Sequence, residues 1–351
     1  MDLRALQQSQ GARLAPDGIP LHFNNAQEAW QAALQSAVLL DRSHEARLRL
    51  SGASAADLLQ RLSTNDVLAP DLNHGCPTIF TSWHGRVLER VEVWREPDSL
   101  LLLGGPGRAA SLRDYLQRNI FFNDDVQVTD LTPDHSLLDL IGPAAPALLQ
   151  LPETGQEAYG LWHRELAGHV VQVAARKAPG VPRVSLVAPV NSAGELWQAL
   201  CAAGAVPAGS LLFNALRVRA GLPAAGSELT DNFIPLELGL WDEVSFSKGC
   251  YTGQEIIARM ESRGQLAKML LRLQPAADIE APADLLHEGR VAGRLTSSIT
   301  APDGERYALG VLRRAQAGPG TMLQTAGGVQ LKVLAAAGVQ PGDQTSSSGG
   351  G

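Results

Sequence analysis

Apolar positions recur at helical spacing across 26–38, with Asn25 in front of them and Glu28 three residues on. This capping box predicts a first helix over 26–38. Alternation then predicts a strand at 47–50, and Ser54 opens a short helix ending near Leu62. The runs 78–82 and 86–94 flank His84-Gly85 and read as a hairpin. Strands are expected at 100–103, 126–128, 137–141, 170–174 and 183–187, with helices at 108–118, 194–202 and 210–219. The order lacks a steady βαβ rhythm, which favours α+β over a doubly wound sheet. After Lys268 four alternating runs at 269–273, 291–296, 306–313 and 329–334 are separated by Gly, Pro and Asp, the pattern of a small β-barrel.

Composition narrows the classes. The chain has 351 residues, 45% hydrophobic and 19% charged, which excludes wholesale disorder. Twenty-nine basic against 36 acidic residues leave a net charge of −7, and broad nucleic-acid binding needs the opposite sign. MDLRALQQSQ lacks the apolar core of a secretory signal, and no run is long enough for a membrane span. Three scattered cysteines, Cys76, Cys201 and Cys250, form neither a disulfide framework nor a metal-ligand spacing. The expectation is a cytoplasmic protein without a resident metal, membrane contact or direct nucleic-acid partner.

The informative chemistry lies in Lys248-Gly249-Cys250-Tyr251-Thr252-Gly253-Gln254-Glu255. Two glycines four apart permit left-handed turns and close backbone approach. A helix is expected from Gln254, with Ile256, Ile257 and Met260 on one face and Glu255, Arg259 and Arg263 on another. Cys250 thus precedes a helix N-terminus and follows Lys248 by two residues, and both features favour a thiolate. The alternative is a packing loop with a buried, inert cysteine. Upstream, Gly105-Pro-Gly-Arg-Ala-Ala after a Leu-rich run imitates a dinucleotide fingerprint, with Asp130 as its acidic partner.

KGCYTGQE resembles the signature of the YgfZ family, folate-binding proteins that support iron–sulfur enzymes. LRLSGASAADLLQRLSTNDV (48–67) is similar to that family's strand–helix–TND segment. GRVAGRLTSSITAPDGERYALGVLR (289–313) resembles the barrel shared with the glycine-cleavage T-protein, an aminomethyltransferase. The resemblance implies a three-part ring of two intertwined α+β lobes and a C-terminal β-barrel around a channel for tetrahydrofolate or a derivative. It divides the chain into an N-terminal segment (1–24), a folate-binding α+β region (25–266), a barrel (267–337) and a disordered Gly/Ser-rich tail (338–351). The implied function is that of a non-catalytic or weakly catalytic folate-binding accessory protein for assembly or repair of iron–sulfur clusters. Its partners would be client enzymes, tRNA-modifying ones among them, or assembly factors. The alternative is a tetrahydrofolate-dependent aminomethyltransferase.

Three departures bear on that choice. Cys250 stands where the T-protein branch carries Asp. In the hairpin Gly85-Arg-Val-Leu-Glu89-Arg90, Glu89 keeps one carboxylate of that branch's acidic pair, and Arg90 replaces the other. An adjacent arginine is expected to lock Glu89 in a pair, and acid/base work on a folate amine needs an available carboxylate. Before the Gly-x-Pro turn both branches read R-x-E, whereas here the segment is Arg217-Val218-Arg219, and arginine has only donors. The candidate functional thiol motif is Cys250 with Lys248. Candidate folate contacts are Asn65, Asp66, Arg217, Arg219, Tyr251, Gly253, Gln254, Glu255 and Arg259. Two alternatives stay open: Asn65 and Asp66 either line the channel or satisfy loop backbone groups, and Arg259 either faces an anion or pairs with Glu255.

Overall fold

The computed structural model describes residues 2–151, 159–177, 179–264 and 266–340. Two compact units interleave along the chain. The first comprises 1–58, 67–76 and 91–214, and the second 59–66, 77–90 and the chain from Ala215 onward.

In the first unit a six-stranded sheet runs in the order Leu161–Leu166, His169–Ala175, Arg183–Pro189, His135–Ile141, Val38–Asp41, Val206–Ala208. Only the last pair is parallel. Leu39, Leu140, Val173 and Leu186 of this sheet pack with Leu196, Trp197 and Leu200 of the helix Ala193–Ala202. A five-stranded sheet, ordered Gly75–Thr81, Val87–Arg95, Ser99–Pro106, Glu45–Ser51, Gln127–Asp130, contributes Trp94, Leu101 and Leu103 to a core with Leu137, Leu161 and Val187. The tip of its first hairpin, 77–90, belongs to the second unit.

The second unit holds a closed barrel of six strands, Lys268–Pro275, Arg306–Arg313, Arg290–Thr300, Ala283–His287, Met322–Thr325 and Gln330–Ala336. Its inward alternation buries Leu271, Leu273, Leu285, Leu295, Leu312 and Val333. Outside it, Ile79 and Val87 of the hairpin join Val218, Phe233 and Leu240 against Leu270, Leu309 and Val311.

Several expectations change. The first helix spans Ala26–Gln35 and stops before Val38, which opens a strand. Asn25 makes no side-chain cap; its Nδ2 donates to the Pro207 carbonyl instead. The dinucleotide imitation fails on topology: Ser99–Pro106 lies between two antiparallel neighbours, and Asp130 lies on another antiparallel strand, so no parallel βαβ unit forms. Of the expected tail, Val339 N donates to the Gly239 carbonyl, while residues 341–351 lie outside those described. Among the described residues no helix is long and apolar enough to cross a membrane.

Candidate functional site

Three segments far apart in sequence are knotted together in the second unit: the turn Ser63-Thr64-Asn65-Asp66, the hairpin, and the run from Trp241 to Gly253. Thr64 is the junction of the first two, donating its N–H to the Ile79 carbonyl and accepting the Ile79 N–H on Oγ1 at 3.1 Å. The same hydroxyl donates to the Glu243 carbonyl at 2.7 Å, and the Thr64 carbonyl accepts from Ser245 N. Asn65 Nδ2 donates to the Pro77 carbonyl at 2.8 Å and to that of Asp242 at 3.4 Å. Asp66 Oδ1 accepts from Gln60 Nε2 at 3.0 Å.

Gly253 is held where only glycine fits. Its φ is +84°, and a Cβ would stand 2.5 Å from the Ser82 carbonyl oxygen and 2.8 Å from Thr81 Oγ1. Thr81 Oγ1 donates to the Thr252 carbonyl across the same contact. Gly249, by contrast, has open space around it, so only one of the two motif glycines answers to close approach. The helix Gln254–Arg263 follows, with Ile257 buried and Glu255 and Arg259 exposed. No ion pair joins those two among the described residues.

Lys248 and Cys250 part company. Lys248 Nζ donates to the carbonyls of Gln60, Ser63 and Asn65 at 2.7, 2.8 and 2.6 Å. Cys250 is exposed, which removes the reading of a buried packing cysteine. Tyr251 turns inward among Ile234, Trp241, Val244 and Ile257, and burial pushes its phenol up to about 12, so it stays neutral. The indole N–H of Trp241 is buried in the same cluster without an acceptor.

In the hairpin, Arg90 has a partner far along the chain. Arg90 Nε donates to Glu243 Oε2 at 2.7 Å, and Glu243 is wholly buried. Glu89 is buried on the same strand, Val87–Arg95. Nothing in the sequence pattern links positions 90 and 243, and Glu243 escaped notice there. Arg217 also has a different office. Its guanidinium donates to Glu228 Oε2 at 3.2 Å, Ser297 Oγ at 2.9 Å and the Leu222 carbonyl at 3.3 Å. Ser297 Oγ in turn donates to Glu228 Oε1. This buried clamp fastens the turn after Ala220 to a barrel strand, while Arg219 is half-buried. Among the described residues no group of three or more His, Cys, Asp or Glu could hold a metal ion.

Against this geometry stand the relatives. Residues 18–248 match the GCVT N-terminal domain. The chain belongs to that family. It is 30% identical over 315 residues to a putative chloroplastic transferase of Arabidopsis thaliana, spanning 88% of this chain and 73% of the relative. An aminomethyltransferase of Streptomyces avermitilis is 28% identical over 338 residues, 91% of this chain and 90% of its own. The crystal structure of glycine cleavage system aminomethyltransferase T from Bartonella henselae superimposes with a TM-score of 0.85 at 21% identity, covering 95% and 96% of the two chains. The family fold is thus established: mixed α/β lobes followed by a closed six-stranded barrel.

Proposed function

We propose that this GCVT-family protein binds a reduced folate and, without transferring aminomethyl groups, serves the assembly or repair of iron–sulfur clusters in client enzymes. The observation that carries the accessory reading is the motif loop: it presents Cys250 to solvent from a rigidly bonded base, where an aminomethyltransferase carries Asp. The buried Arg90–Glu243 pair supports it, since that hairpin position holds a cation instead of a second carboxylate.

The residues fit a folate in part. Arg217 is committed to Glu228, so it is withdrawn as a ligand contact. Arg259 is an exposed cation for the glutamate end, and Gln254 and Glu255 on the same helix offer acceptors for pterin N–H groups. The unpartnered Trp241 N–H is one further donor. When bound, the folate would supply one-carbon carrier chemistry. The task of the chain's own residues is to hold its charged groups. Calorimetry with tetrahydrofolate tests the binding half: micromolar binding weakened by Arg259→Ala supports it, and no binding by the intact protein contradicts it.

A second reading, aminomethyl transfer, is favoured by Glu89, which keeps a carboxylate in the hairpin, while Arg90 pairs with Glu243. Release of methylenetetrahydrofolate from an aminomethyl-lipoyl donor, abolished by Glu89→Gln, would establish that reading. The accessory proposal expects no turnover above background.

A further inference from the structure

The spacing Lys-x-Cys invites the view that the ammonium activates the thiol. The geometry points to another role: we infer that Lys248 is a positioning residue, pinning the motif loop so that Cys250 is presented to solvent. A protonated lysine has three N–H donors. Here three backbone carbonyls, those of Gln60, Ser63 and Asn65, lie within 2.8 Å of Nζ, and Gln60 Oε1 lies at 3.4 Å. Those carbonyls sit in the last turn of the helix Ala55–Leu62 and in the turn after it. The final carbonyls of a helix lack intrahelical partners and carry the negative end of its dipole, so a cation there is held by both effects.

On the other side of Cys250, Tyr251 is anchored in the apolar cluster, its ring centroid 5.3 Å from Nζ. The chain is therefore tied at 248 and at 251, and the exposed pair Gly249-Cys250 stands out between the ties. The carbonyls that absorb the lysine's donors also offset its charge, which leaves little of either for a thiolate. Deletion of Lys248 should loosen the turn 63–66 and the loop together, because one ammonium holds both. The biological use of the presented thiol rests on the function proposed above, but the pinning does not.

The chain has four lysines, 177, 248, 268 and 332, so their reactivities are readily resolved. Acetylation of the native protein with a trace of N-hydroxysuccinimidyl acetate, read by mass spectrometry, should label Lys248 roughly tenfold or more slowly than exposed Lys268 and Lys332, because its hydrogen bonds must break first. Labelling of Lys248 at the rate of the other two would overturn the inference. Lys248→Met adds the discriminating readout. The pH midpoint of Cys250 alkylation should be unchanged while amide exchange of residues 63–66 and 249–252 rises about tenfold, against unchanged exchange in the barrel. A midpoint that climbs with no change in exchange would make Lys248 an activator instead. If the variant does not fold, the labelling of the native protein decides. Neither measurement involves folate or an iron–sulfur client, so failure here and failure of the proposed function are separate results.

Discussion

At Gly253 the backbone conformation and the 2.5 Å approach to Ser82 O act together, whereas Gly249 has neither constraint. Gly253→Ala should cost about 2 kcal/mol or more and shift the hairpin tip, while Gly249→Ala should stay within about 0.5 kcal/mol; urea denaturation of both measures the contrast. The pair Arg90–Glu243 makes an equally sharp case, because Glu243 has no access to water. Removing Arg90 alone takes its cation from a wholly buried carboxylate and should cost about 3–5 kcal/mol, yet Arg90→Met with Glu243→Leu should recover most of the loss, as a double-mutant cycle would show. Cys250→Ser, at an exposed position, should leave stability within about 0.5 kcal/mol. That leaves its functional effect free of a folding artefact. These residues also show what one-dimensional reading reaches. The constraint at Gly253 was legible, since an unusual run of residue types is itself a signal. The partners of Arg90 and Arg217 were not, since the carboxylates they meet lie 153 and 11 positions away and no periodicity encodes the pairing.

Among the elements, helices with one apolar face and strands with clear alternation were legible from pattern alone. The strand Val38–Asp41 was not, because all four of its residues are buried and its apolar run simply continues the helix before it. The strands of the first unit also bury a charged cluster that alternation cannot reveal. Glu45 accepts from Arg42 Nε at 2.8 Å and Arg176 Nη1 at 2.7 Å, with Arg183 Nη2 at 3.4 Å. Arg183 also holds Asp139 at 2.6 Å, and Arg176 binds Glu92. Phe213 lies against the guanidiniums of Arg42 and Arg183, with centroids at 4.0 and 4.9 Å. Burial pushes the Glu45 carboxyl up, but Arg176, Arg42 and Arg183 together bring it well below the usual range. A carboxyl depressed in the folded state stabilises fully above its unfolded value, near 4.3, and that contribution is lost as pH falls. Urea midpoints should therefore hold between about pH 7 and 5 and drop steeply below about pH 4.5. Glu45→Gln should be less stable at neutral pH with a flatter acid limb; an unaltered acid limb would show that the cluster does not govern the transition.

For the whole molecule, the fold class was readable because resemblance ran from the TND segment to the barrel, and the superposition on aminomethyltransferase T covers 95% of the chain. Function is harder, since members of one fold differ at a few side chains rather than in architecture. In this chain the turn 63–66, the hairpin and the motif loop are bonded together, with a buried Arg90–Glu243 pair, a Lys248 held by backbone carbonyls and an exposed Cys250. The central claim is that this assembly works through its presented thiol on behalf of iron–sulfur enzymes. It is tested most directly by the activity of an iron–sulfur enzyme in cells lacking this protein, complemented with the wild type or with Cys250→Ser at equal folded levels. The account predicts that the wild type restores activity and Cys250→Ser does not. Full restoration by Cys250→Ser would contradict it.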